Sequence, residues 1–186
     1  MSRNTILRSM HDLGLAGWFG GSLMGAVGLN AAAGVAQDAR ERSAVANAGW
    51  DRWTPVNAAA IGVHLVGAAG LLAANRERLV AQRGVATMSL LKVALTGTAM
   101  AVTALARVEG AKVSRHDGAP VAAGAEPLAS TPEDVAAAQR KLRLLQWGVP
   151  ASTAALLVVS AFAGEQQRPS EVHLGIRDRL VERLPG

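Results

Sequence analysis

Four side chains have the residue type and the setting for chemistry: His11, Asp12, His64 and Lys92. Each lies in or beside an apolar stretch. Lys92 falls within the apolar run 85–106. A cation at the centre of a bilayer costs about 2.5–3.5 kcal/mol on insertion scales, so it needs a partner or a route to water. At the helical rise it lies ~10 Å from the start of its run. Its side chain leans toward the helix N-terminus, back toward His11 and Asp12. The spacing therefore predicts a Lys92–Asp12 pair, or a proton or anion site. The alternative is a lysine that snorkels to the interface.

His64 lies ~15 Å into the second apolar run. A histidine there most often hydrogen-bonds a neighbouring helix; proton transfer and metal or haem ligation are its other uses. His11 falls roughly 15 Å from His64 in depth, which predicts that the two cannot share one haem. His116 and His173 fall outside the apolar runs. Asp12, His64 and Lys92 are thus the candidate intramembrane polar site. No catalytic triad, paired intramembrane carboxylates, phosphate loop or dinucleotide motif is present, and GWFGG is a short cluster inside an apolar run. Neither catalytic activity nor a cofactor or metal set is expected.

These residues must be positioned by helices. Leu13–Val35 carries no charge, long enough to cross a bilayer. Gly14, Gly17, Gly21, Gly25 and Gly28 are spaced 3, 4, 4 and 3, which puts them on one helical face. Such a face lets helices pack backbone to backbone. Further spans are expected at about 56–74, 85–106 and 147–164. A turn is expected at Gly49, Trp50, Trp53 and Pro55, with the first helix running on past the headgroups through the polar stretch 37–47. Residues 114–130 look like a flexible loop. Ser130-Thr131-Pro132-Glu133-Asp134 is a helix start, with acids at the positive end of the dipole. It leads into the fourth span, where Pro150 should introduce a kink. The expected fold is all-α, an integral membrane four-helix bundle (1–164) with helices extended beyond the bilayer. A C-terminal tail (165–186) follows, whose Val172, Ile176, Leu180 and Leu184 suit an amphipathic helix.

Half of the 186 residues are hydrophobic, and there are no cysteines, which excludes disulfides and thiolate metal sites. The net charge is +5, but the basic residues sit at the ends of apolar runs, which points to membrane anchoring rather than nucleic acid. No signal peptide is evident. Basic residues divide nine and nine between the two sides. The short loop 75–84 holds three arginines, and short loops weigh most. Both termini are therefore expected in the cytoplasm, with Trp50, Trp53 and Trp147 as an outer aromatic belt.

The segment LRSMHDLGLAGWFGGSLMGAVGL resembles the opening helix of small bacterial membrane proteins of the copper-resistance-D type and related four-helix families. Its His11 and Trp18-Phe19-Gly20-Gly21 carry the resemblance, which covers about the first 30 residues. It implies a four-helix bundle in a bacterial inner membrane and a role in copper handling. From the residues themselves, the function expected is that of a non-catalytic accessory or structural subunit of a larger membrane assembly. Its partners would be the lipid bilayer and other subunits or further copies. The competing expectation is a small transporter or a metal or proton handler using Lys92, His64 and Asp12.

Overall fold

The computed structural model describes residues 4–76, 83–116 and 118–165. The expected amphipathic tail lies outside the described residues. The fold is all-α apart from one small hairpin. Helix α1, Thr5–Met24, passes through a π turn, Gly25–Leu29, into a last turn, Asn30–Ala33. Helix α2 is Glu41–Ala74, α3 is Arg83–Ser114 and α4 is Glu133–Glu165. Strands β1, Val121–Ala123, and β2, Glu126–Pro127, pair antiparallel between α3 and α4. Three helices, α2, α3 and α4, are long and apolar enough to cross a membrane.

The first rod does not run on through the polar stretch 37–47. Its last carbonyls take short i to i+3 bonds from Gly34 and Val35, at 3.0 and 3.1 Å. Asp38 Oδ1 then accepts the Arg40 backbone N–H at 2.9 Å. This local side-chain turn competes with the helix and reverses the chain. Glu41 opens α2 at its positive dipole end.

Nor does the chain turn at 49–55. Helix α2 is continuous through Pro55 for 34 residues, about 51 Å at the helical rise. Thr54 Oγ1 donates to the Trp50 carbonyl at 2.7 Å in the turn that Pro55 disturbs. Helix α4 likewise runs through Pro150.

Segment 114–130, expected as an unstructured loop, holds the hairpin. Its backbone is tied to residues far away in sequence: Val121 N–H donates to the Ala39 carbonyl and Gly124 N–H to the Asn30 carbonyl, both at 3.0 Å. Arg42 reaches across to the Ala36 and Val121 carbonyls at 2.8 and 3.3 Å. Beneath it Val113, Ala119, Val135 and Ala138 form a small core with Leu142. Thr131 serves this cap rather than the helix behind it. Its hydroxyl accepts from Leu128 N–H at 2.8 Å and donates to the Pro120 carbonyl at 2.5 Å.

Helix α1 packs along α2, and α3 along α4. The two pairs are joined chiefly by α1 against α4, while α2 and α3 barely touch. The main core lies at the junction: Leu15, Trp18, Ala99, Val149 and Leu156, flanked by Ile61, Leu95, Val102 and Leu157. Trp18 Nε1 donates to Thr103 Oγ1 at 3.1 Å, fixing α1 to α3. Outward faces carry large apolar side chains, among them Val56, Val63, Val66 and Leu72 of α2, Leu90, Val93, Met100 and Leu105 of α3, and Val158 and Phe162 of α4. Polar His11, Ser22, Asn30, His64, Gln139 and Thr153 are buried.

Candidate functional site

The glycines decide where the first two helices meet. A Cβ on Gly14 would lie 2.5 Å from both the Ala60 carbonyl oxygen and the His64 nitrogen. A Cβ on Gly67 would meet the His11 nitrogen and, at 2.7 Å, the Leu7 carbonyl oxygen. At these two positions the backbones of α1 and α2 touch, which only glycine permits. Gly17 faces Ala60 Cβ. Gly21 and Gly25 receive the indole rings of Trp53 and Trp50, with no room for any side chain. Gly28 departs from this face and meets only Met24 of its own helix. It lies inside the π turn, whose extra residue rotates the face that follows.

The two tryptophans expected in an outer belt are therefore packed between helices. Trp50 Nε1 donates to Asn30 Oδ1 at 2.9 Å, and Asn30 Nδ2 donates to Gln146 Oε1 at 2.7 Å. Of the three, Trp147 is the one that faces outward, 51% exposed.

Backbone contact at Gly14 and Gly67 brings His64 onto His11. The ring centroids are 4.4 Å apart, with the planes tilted by 47°. The expected 15 Å separation in depth is thus overturned. Two things shift the estimate. Helix α1 starts at Thr5, so His11 is already about 9 Å into the rod. Gly67 then sets α2 level with the turn Leu7–His11. Both rings are buried, His64 completely.

Their hydrogen bonds assign the tautomers. His64 Nδ1 lies 3.0 Å from the His11 carbonyl oxygen, which can only accept, so His64 carries its proton there. His11 Nδ1 lies 2.8 Å from Asp12 Oδ1 and likewise donates. In neutral rings both Nε2 atoms are bare. That of His64 is buried without a hydrogen-bond partner. Holding a ring through Nδ1–H to an oxygen is also how metal-ligating histidines are oriented. Among the described residues, however, no group of three or more His, Asp or Glu side chains is placed to hold a metal ion.

Asp12 and Lys92 line one cleft, with a volume of about 360 Å³. Arg8, His11, Asn75, Ser89, Thr96 and Ser160 complete its polar wall, and Leu65, Leu72, Met88 and Val93 are among its apolar lining. The pair expected from the sequence does not close: among the described residues no ion pair joins Lys92 to Asp12. Asp12 turns to His11 instead. Lys92 is half-buried and takes part in no hydrogen bond there. Ser160 Oγ is buried and unpartnered.

A second cavity, about 530 Å³, lies under the hairpin cap and is lined by Asn30, Trp50, Trp53, Asn57, Thr103 and Gln146 among others. Trp53 Nε1 and Asn57 Oδ1 are both buried without a partner. Nothing in the spans around them marks these residues in the sequence. A lone amide, Asn30, near the end of an apolar run was the available signal.

No protein-family model, curated protein or solved structure matches the chain.

Proposed function

We propose that the chain is an integral membrane four-helix bundle of a bacterial inner membrane, with α1 as the fourth span and both termini in the cytoplasm. It acts without catalysis, as an accessory or structural component of a larger membrane assembly. One observation carries this reading: the distribution of polarity is inverted. Large aliphatic side chains face outward along α2, α3 and α4, while histidines, amides and hydroxyls are turned inward. In water such faces would be aggregation sites; in lipid they are solvated, and the inward polar groups bind helix to helix. Helices longer than the ~30 Å hydrocarbon layer carry the hairpin cap beyond it and offer a surface for other subunits.

The test is the composition of the particle extracted from native membranes in a mild detergent. A stable complex with other membrane subunits, or with further copies of the chain, supports the reading. A monodisperse monomer from gently solubilised membranes contradicts it.

The cleft favours a second reading, a small transporter or an ion-handling protein using Lys92, Asp12 and His64. Its carrying observation is Lys92, without an ion pair among the described residues, on the wall of a cleft of about 360 Å³. Substrate-dependent flux in liposomes distinguishes the two readings.

A further inference from the structure

We propose that the cavity of about 530 Å³ under the hairpin cap holds the ring of a lipid quinone or its quinol, with the isoprenoid tail leaving between α2 and α3. This rests on the reading that the helices lie in a bilayer, since the tail needs lipid around it. Two residues of the cavity wall carry a buried atom without a hydrogen-bond partner among the described residues, Trp53 at Nε1 and Asn57 at Oδ1. The first can only donate and the second only accept. Burying such groups unmet is costly. They belong to one face of α2, one helical turn apart, about 6 Å along the axis. From α4, Gln146 gives its Oε1 to Asn30, and its Nε2 hydrogens have no partner among the described residues. Asn30, which fixes Gln146, follows directly on the π turn of α1, and π turns recur at functional sites.

The unmet groups are neutral, an indole and two carboxamides. Between them the wall is apolar, with Ile61, Leu142 and Val149. A sugar would press most of its hydroxyls against that wall. A phospholipid would bring a phosphate to groups that carry no charge. A plain hydrocarbon chain would leave the indole N–H and the amides unmet. A neutral ring with an oxygen at each end meets both requirements. Its two oxygens face away from each other across six ring atoms, a reach that suits one turn of α2. In the quinone both oxygens accept, one from Trp53 Nε1 and one from Asn57 Nδ2 once that amide turns over. In the quinol one hydroxyl accepts from Trp53 and the other donates to Asn57 Oδ1. A carboxamide serves either form because it carries both a donor and an acceptor. The way out for the tail is lateral, because α2 and α3 scarcely touch while each packs tightly on its own neighbour. In a bilayer that gap faces lipid.

The experiment measures thermal stability of the detergent-purified full chain against ubiquinone-2, its quinol, farnesol and phosphatidylglycerol. The quinone and the quinol should raise the melting temperature in a saturable way. Farnesol, which is a tail without the ring, and phosphatidylglycerol should leave it unchanged. Asn57→Leu should raise the half-saturation about fivefold, the loss of one hydrogen bond. Trp53→Phe, which keeps an aromatic ring and removes the N–H, should do the same. Leu90→Ala, on the outward surface toward the other end of α3, should not alter it. If either cavity variant does not fold, photolabelling of the wild type with an arylazido quinone replaces it. Label within 53–61, 103–113 or 142–149 supports the site, and label elsewhere overturns it. Equal stabilisation by farnesol or phosphatidylglycerol, no response to either ring form, or an unchanged response in a folded cavity variant would overturn the proposal. Alkaline carbonate extraction separates this from the membrane reading. A chain that stays in the membrane yet ignores quinone and quinol sinks only the ligand. A chain released by carbonate sinks the bundle, and the quinone site with it.

Discussion

His64 donates its Nδ1 proton to the backbone carbonyl of His11 across 3.0 Å, from one helix to the next. That carbonyl belongs to a helix and already has a hydrogen-bonding role within it. The inter-helix bond is therefore an addition, made available because Gly14 and Gly67 let the two backbones touch. Packing, tautomer and the bare Nε2 of His64 follow from this one contact.

The contact makes the glycines unequal. Gly14→Ala and Gly67→Ala should each lower stability in detergent by about 1–3 kcal/mol, as forced overpacking does. Gly21→Ala should act similarly by displacing the Trp53 indole. Gly28→Ala, Gly20→Ala and Gly62→Ala should be neutral or slightly stabilising, since the latter two have open space around them and alanine is favoured over glycine in a helix by up to about 1 kcal/mol. Thermal unfolding of the six variants checks this. Equal losses at all six would mean that the glycines do not set the helix distance.

The polar residues should couple as the hydrogen bonds run. Asp12→Asn and His11→Gln should show a coupling of about 0.5–1.5 kcal/mol in a double-mutant cycle. Asp12→Asn and Lys92→Met should couple more weakly than that, because both line one cleft but no ion pair joins them. A large Asp12–Lys92 coupling would place Asp12 on the lysine and away from His11.

Glu109 lies beyond the apolar part of α3, in the cap. The Lys112 ammonium donates to both its carboxylate oxygens, at 2.9 and 3.0 Å. That bond, with help from Lys141, holds its carboxyl below the ordinary value of 4.5, against the opposing effect of burial. A depressed carboxylate stabilises the fold above its unfolded-state value, and the contribution fades as pH falls through the lower folded one. Acidification below about pH 4.5 should therefore loosen the cap. Lys112→Met should shrink this acid-dependent loss, because it removes the main cause of the lowered carboxyl. Hydrogen exchange of the backbone at 109–142 as a function of pH measures both. An acid response identical in wild type and Lys112→Met would remove this pair from the account.

The long apolar runs gave the helices away in the sequence, because a charge-free stretch has few other uses. The start of α4 was legible for a similar reason: Glu133 and Asp134 sit where a helix dipole favours acids. What escaped was set by partners distant in sequence. The first rod stops after Gly34 through a side-chain turn at Asp38, with no proline to mark it. The hairpin 121–127 is too short to show a period, and its backbone bonds go to Asn30 and Ala39. Pro55 looked like a breaker, yet α2 carries it. The meeting of His11 and His64 depends on the register between two helices, which neither contains alone. Asp12 and Lys92 line one cleft, but His11, next door to Asp12, holds the carboxylate.

The central claim is that a bilayer separates the hairpin cap from the end where the chain starts and α2 finishes. The absence of native cysteine makes this directly measurable. Ala119 of the cap is buried, so the cap is better probed at exposed Ala129. In intact cells an impermeant thiol reagent should label Ala129→Cys and leave Asn75→Cys untouched until the membrane is opened. Labelling of both sites in intact cells, or of Asn75→Cys alone, would contradict the account.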